Sequence, residues 1–354
     1  MKKLILFLVS VCLTRFTFAN VNTTADAKIT AEDNVQLYFS PDPLQDHQPW
    51  IKQIQSAKKS IQMVIFHLND KDVITALTDA VKRGVKVQVI VDRLSLILPP
   101  FASTKRKLIA GGVEVTTCSK GFKITHQKSL VVDSNTALVT SMNLTKKVAS
   151  TRDWIVETSD PTIIAEMNAV FATDLENAKT GAGITPKLTN TNLLWSPVNS
   201  EEKIINLMNS AKKTIISTVE NLGSPTIQAA YIAAAKRGVD VKIITPLCDI
   251  ADPRSDHNVP FARDLAKNGI KSNMMPDPQT ADQPYMHAKM ILIDSQQAYI
   301  GSVNFSENSL HNSREAGIIF KNSKASAILQ NEFNKDWSHT VSATGSLPSC
   351  GAAK

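Results

Sequence analysis

Apolar positions recur at helical spacing over residues 71–83 and again over 224–237, which predicts two amphipathic helices. Each ends in a basic pair, Lys82-Arg83 and Lys236-Arg237, followed by Gly84 and Gly238. Cations in a last helical turn with a glycine just beyond are ordinary helix-stop chemistry, so these basic residues read as caps rather than as a phosphate site. Alternating apolar runs follow, Val85 to Val91 and Val239 to Ile244, and predict strands. A second helix, a strand near Val113 to Thr117 (Ile270 to Met274), a hairpin and a further strand, Ile155 to Thr158 (Gly317 to Phe320), continue each series. Helices over 161–177 and 323–338 close it. Helices alternating with strands imply an α/β fold with helices on both faces of the sheet.

The two series are copies. Ser56-Ala57-Lys58-Lys59-Ser60-Ile61 returns 154 positions later as Ser210-Ala211-Lys212-Lys213-Thr214-Ile215, and Ala80 to Val87 returns at the same offset as Ala234 to Val241. Phe39-Ser40-Pro41 matches Trp195-Ser196-Pro197. The expected fold is therefore two homologous α/β domains, 20–180 and 190–340, each a mixed β-sheet flanked by helices and related by a pseudo-twofold axis. Thr180 to Asn192, with Gly181, Gly183 and Pro186, reads as the linker. Residues 341–354 read as a flexible tail.

The first 19 residues stand apart from this pattern. Lys2 and Lys3 precede a short apolar core, Leu4 to Leu13, and Thr17-Phe18-Ala19 offers a small-x-small cleavage site. The apolar run is too short to span a bilayer, so residues 1–19 read as a cleaved signal peptide and the protein as secreted or periplasmic. Cleavage removes three of the 39 basic residues and none of the 32 acidic ones, leaving a net charge of +4. That mild basic bias suits an anionic substrate without identifying one. Cys118, Cys248 and Cys350 are too few and too far apart for a disulfide scaffold, and the spacing leaves open whether one bridge forms. CxxC, HExxH and EF-hand-like spacings are absent, so no metal site is expected.

The chemistry lies in His126-Gln127-Lys128-Ser129-Leu130-Val131-Val132-Asp133 and in His287-Ala288-Lys289-Met290-Ile291-Leu292-Ile293-Asp294. On a strand, His and Lys two positions apart project from one face. The Asp follows its His by seven residues, roughly 23 Å of extended chain, so it cannot reach it. Asp133 and Asp294 read as structural turn carboxylates. A hairpin centred between Ser134 and Asn135 sets Asn143 opposite His126 and Ser141 opposite Lys128. A second, centred between Ser295 and Gln296, sets Asn304 opposite His287 and Ser302 opposite Lys289. A lone strand-end His is ordinarily just a half-exposed polar residue; the same four groups on two homologous hairpins are not.

The full pattern, H-x-K-x4-D-x6-G-S-x-N, resembles the phospholipase D superfamily over essentially the whole chain beyond the leader. The second copy fits completely, with Gly301, Ser302 and Asn304, whereas the first has Thr140 in place of the glycine and keeps Ser141 and Asn143. The resemblance implies one active site assembled from both motifs. His126 attacks phosphorus to form a phosphohistidine, and His287 protonates the leaving alcohol and then activates water. Lys128, Lys289, Asn143 and Asn304 would steady the non-bridging oxygens. Asp153, in Thr151-Arg152-Asp153, and Glu315, in Asn312-Ser313-Arg314-Glu315, fit the acidic residues that orient the histidines. No metal or other cofactor is implied.

The expected substrate is a phospholipid or another phosphodiester, with peripheral contact to a membrane surface, no obligate protein partner and a monomeric chain. The apolar run Leu94 to Phe101 follows a strand end, where α/β sites form, and marks Leu96, Ile97 and Phe101 as acyl-chain contacts; Met275 lies in a similar place before the second motif. Core packing of the same run is the competing reading. A metal-independent nuclease is the alternative function, against which stands the lack of a basic run interleaved with aromatics. A non-catalytic phosphate or anionic-lipid binder is a third, against which stand the intact motifs. Synthases of the superfamily typically carry transmembrane helices, which are missing here. The sequons Asn143-Leu144-Thr145 and Asn304-Phe305-Ser306 would place glycans in the catalytic centre, which together with the short leader points to a bacterial source.

Overall fold

A computed structural model describes residues 32–146, 150–190, 192–277, 279–280 and 282–351. The expected leader, 1–19, lies outside the described residues. The first half runs β1 (Val35–Ser40), α1 (Gln48–Ser56), β2 (Ser60–Ile65), α2 (Lys71–Lys82), β3 (Lys86–Val91), α3 (Pro99–Ala110), β4 (Glu114–Thr117), β5 (Ser129–Val132), β6 (Thr136–Thr140), β7 (Thr151–Thr158) and α4 (Pro161–Thr180). The second runs β8 (Leu193–Ser196), α5 (Ser200–Ser210), β9 (Thr214–Thr218), α6 (Pro225–Lys236), β10 (Asp240–Pro246), α7 (Val259–Lys267), β11 (Lys271–Met275), β12 (Tyr285–Met286), β13 (Met290–Ile293), β14 (Gln297–Gly301), α8 (Glu307–His311), β15 (Glu315–Lys321), α9 (Ser323–Ser338) and β16 (Val341–Ser342).

The strands pair in the order β1-β7-β6-β5-β2-β3-β4 in the first sheet and β8-β15-β14-β13-β9-β10-β11 in the second, with β16 added at the far edge. The two orders are the same, and each sheet is mixed: β2, β3 and β4 run parallel while β5, β6 and β7 pair antiparallel. The duplication read in the sequence is thus a duplication of topology. The helix stops lie where the glycines predict them, with Gly84 at φ +86° and Gly238 at φ +89°. The arginines before them tie down the preceding helix: Arg83 Nη2 donates to Ile54 O and Arg237 Nη2 to Met208 O, both at 3.0 Å.

Two clusters of buried side chains belong to one half each, under α1–α3 and under α5–α7. A third belongs to both, with Trp154, Val156 and Met167 from the first half packed with Trp195, Ile318 and Phe333 from the second. The described residues, from Glu32 on, accordingly form one compact unit. The contacts between the halves come in reciprocal pairs, as a twofold relation requires. Short strand β12, just before the second motif, pairs with β7 of the first half, Tyr285 with Thr151 and Met286 with Arg152. Thr125, just before the first motif, bridges to Arg314 at the start of β15. Buried Arg152 donates from Nε to Asp336 at 2.8 Å, and buried Arg314 from Nε to Asp174 at 2.8 Å.

The expected flexible tail is corrected for 341–351. Val341 and Ser342 pair with Met274 and Asn273, Ala343 is fully buried, and a Cys248–Cys350 disulfide fastens the end. The apolar Val341 and Ala343 give this segment a reason to dock, which outweighs the polar residues around them. The disulfide also settles the question the cysteine spacing leaves open; Cys118 is unbridged and buried.

Candidate active site

Each motif hairpin is held by its aspartate. Asp133 accepts the backbone N–H groups of Lys58, Lys59 and Ser60 at 2.7, 2.7 and 2.8 Å, and Asp294 those of Lys212, Lys213 and Thr214 at 2.9, 2.7 and 2.9 Å. Burial would raise both carboxyls, but the three N–H donors hold them below the ordinary aspartate value. Both aspartates and the serines after them take positive φ, between 50° and 54°. The turn therefore centres on Ser134 and Ser295, pairing Val132 with Thr136 and Ile293 with Gln297. This corrects the expected register by one residue: Lys128 lies beside Thr140, whose N–H donates to Lys128 O at 3.3 Å, and Ser141 is not its partner.

The shift changes which groups meet. Ser141 Oγ donates to Asp153 Oδ1 at 2.6 Å, and Ser302 Oγ to Ala316 O at 3.3 Å. Asn143 does not face His126; its Nδ2 lies 3.5 Å from Nε2 of His287, in the other half. Asn304 Oδ1 accepts from Asn221 N at 3.0 Å. Gly301 is required by close packing: a Cβ there would lie 2.5 Å from Gly317 Cα and 2.6 Å from Ala316 O. In the first half Thr140 pairs with Ile155 instead, and its Oγ1 accepts from Met142 N at 2.8 Å.

The histidines are oriented across the halves. His126 Nδ1 lies 2.8 Å from Glu315 Oε2, and His287 Nδ1 lies 2.7 Å from Asp153 Oδ1. With Nδ1 occupied, the reacting nitrogen of each ring is Nε2. Burial would raise Asp153, but the charge and hydrogen bond of His287, then Lys289 and Ser141, hold it low. His126 is pulled down by burial and then by the Lys128 charge, against Glu315. Lys128 and Lys289, both buried, each donate from Nζ to the carbonyl of their own motif histidine. Burial, then the charge of Lys289, brings Lys128 down to about 7.

Both histidines and Asn143 line one cavity of about 480 Å³. Phe101 lines it too, stacked on His67 at 4.2 Å between centroids, and His67 stacks in turn on Phe66 at 3.9 Å. Burial and the charges of Lys128, His126 and His287 push His67 down to about 3, so this aromatic wall is uncharged at neutral pH. Leu96 and Ile97 do not line the cavity; they are 50% and 71% exposed, ahead of Phe101 in the chain. Met275 is no substrate contact. It is 2% exposed, because the alternation of β11 turns it into the core shared by the halves.

Glu220 is the site residue that sequence reasoning missed, with Phe66 and His67. Its Oε2 lies 2.8 Å from Lys289 Nζ, 3.4 Å from Asn304 Nδ2 and 3.6 Å from His287 Nε2, and its Oε1 accepts from Tyr285 OH at 3.3 Å. Burial would raise its carboxyl, but His287 and Lys289 hold it far below the ordinary glutamate value. A signal was available: an acid just past the end of β9, where the first half has Phe66 at the 154-residue offset.

Residues 50–175 and 204–337 each match the domain family described as "Cardiolipin synthase, PLD-like domain". The chain belongs to the phospholipase D superfamily. Cardiolipin synthase A of Buchnera aphidicola subsp. Acyrthosiphon pisum is 26% identical over 316 residues, covering 77% of this chain; the chain spans 63% of that synthase's length. Phospholipase D Z of Dictyostelium discoideum is 25% identical over 369 residues, covering 84% of this chain and 86% of that protein. The fold is similar to that of phosphatidylserine synthase from Haemophilus influenzae Rd KW20, with TM-score 0.65 at 14% identity over 87% of both chains. Among the described residues no helix of this superfamily member is long and apolar enough to cross a membrane.

Proposed function

We propose that this superfamily member is an exported phosphodiesterase that hydrolyses phospholipids through a phosphohistidine and passes the phosphatidyl group to alcohols when these are present. The observation that carries the reading is the pair of histidines on one cavity, each held through Nδ1 by a carboxylate of the other half. His126 Nε2 attacks phosphorus while His287 gives a proton to the departing alkoxide. His287 then takes a proton from water or an alcohol as that oxygen displaces His126. Lys128 and Lys289 stabilise the charge on the non-bridging oxygens. The lipid assignment is supported by the exposed apolar run Leu96, Ile97 and Leu98 leading to Phe101, and by relatives named cardiolipin synthase and phospholipase D. Export rests on the leader sequence.

The stacked wall of Phe66, His67 and Phe101 favours a second reading, because a nucleobase would stack there as well as an acyl chain. One experiment separates them: the purified protein on phosphatidylcholine vesicles with ethanol, and on plasmid DNA, both in EDTA. The expected result is choline release with phosphatidylethanol formed and intact plasmid. Cut plasmid without head-group release would contradict the lipid reading.

A further inference from the structure

The two motif histidines have the same Nδ1 partner chemistry but different neighbours on the reacting side. Beside His126 stands Phe66, whose ring meets the imidazole edge-on at 4.8 Å between centroids. Beside His287, at the equivalent place in the second half, stands Glu220, with a carboxylate oxygen 3.6 Å from Nε2. A hydrocarbon ring disfavours an imidazolium and an ionised carboxylate favours one. We propose that Glu220 is the positioning residue that keeps the proton on Nε2 of His287 and thereby makes His287 the acid and His126 the nucleophile. This deepens, and rests on, the phosphodiesterase reading above.

The other charged groups facing His287 do not remove this bias. Asp153 supports the imidazolium from β7, but Glu315 gives His126 the same support. Lys289, immediately before β13, opposes a second positive charge; Glu220 offsets it directly through a 2.8 Å ion pair. Lys128 has no carboxylate at ion-pair distance among the described residues, only the more distant charges of Glu315, Glu220 and Asp153, and its Nζ lies 5.2 Å from the centre of the Phe66 ring. His126, His67 and Lys146 face the same cavity, and His67 stays neutral at working pH. Among the direct neighbours of the two rings on the reacting side, the difference is Glu220 against Phe66.

The proton balance follows. The His126 Nε2–P bond forms as the P–O bond to the leaving alcohol breaks, and the proton on His287 Nε2 moves to that oxygen. In the second step the neutral His287 regains a proton from water as the new O–P bond forms and the N–P bond breaks. Glu220 exchanges no proton; it stabilises the charged ring before the first step and after the second.

The test is a ring-nitrogen NMR titration of the full-length wild type and of Glu220→Gln, with rates on a dialkyl phosphodiester and on a p-nitrophenyl phosphodiester, whose leaving group needs no proton. In the wild type His287 is expected to titrate above His126. In Glu220→Gln its titration falls by about one pH unit or more, and the rate loss on the dialkyl ester exceeds that on the p-nitrophenyl ester by on the order of tenfold. A wild-type His287 titrating below His126 overturns the proposal, and needs no variant to fold. So does a folded Glu220→Gln with an unmoved His287, or with equal losses on the two esters. If the wild type cleaves neither ester, the phosphodiesterase reading fails, while the titrations still decide whether Glu220 holds the proton.

Discussion

The first half follows β2 with Phe66-His67 and the second follows β9 with Glu220-Asn221, at the same place in the same topology. The motif groups themselves are paired between the halves: His126 with His287, Lys128 with Lys289, Asn143 with Asn304, Asp153 with Glu315. Duplication alone would yield two equivalent histidines, yet a nucleophile and an acid must hold different protonation states at one moment. The difference at the strand ends supplies that inequality. The strand end beside His126 is aromatic, and the one beside His287 carries a carboxylate already paired with Lys289.

The comparison can be broken most severely at the histidines. His126→Ala and His287→Ala are each expected to lower turnover by roughly 10⁴-fold or more, with the double variant little worse, because the two act as one unit. Single-turnover rates check this; substantial activity in either variant would mean that the halves do not share a reaction. The reciprocal arginines come next. Arg152→Ala and Arg314→Ala each strand a buried carboxylate, Asp336 or Asp174, and are expected to cost about 3–5 kcal/mol in denaturant unfolding. A large effect at only one would show that the interface is not symmetric in energy.

The lysines sharpen the comparison. Lys128→Ala and Lys289→Ala are expected to lower kcat by about 10²–10³-fold. Lys128, with its proton lost above about pH 7, carries its charge below that pH and not above it, so kcat/KM of the free enzyme declines on the alkaline side. Lys128→Arg, which stays charged, should carry activity to higher pH; an unmoved decline would assign it to another group. The smallest effect is expected at the apolar run. Leu96→Ser with Ile97→Ser should weaken activity on vesicles by about tenfold, from lost apolar burial, and leave a soluble phosphodiester unaffected. Equal loss on both substrates would return that run to a folding role.

Much of this was legible in the sequence because it is local or periodic. Helix stops at Gly84 and Gly238, the motif strands and the repeat offset follow from spacing alone. The hairpin register was not, because it turns on Asp133 and Asp294 accepting N–H groups from segments 75 and 82 residues earlier. The orienting role of Glu315 was, through the family resemblance, but not that it serves His126 of the other half, since a contact across 189 residues leaves no local mark. Met275 was misplaced because the strand's alternation there points inward, and an apolar residue reads the same on either face. Glu220 was readable, as a charged residue standing where the first half has an aromatic, once the halves are aligned.

The central claim is that two near-identical motifs act in unequal roles within one site. Rapid acid quench of the full-length enzyme turning over a phosphorus-labelled phospholipid, followed by mapping of the labelled peptide, tests it most directly. The account predicts label on His126 and none on His287. Label on His287, divided between the two, or on a residue other than histidine would contradict it.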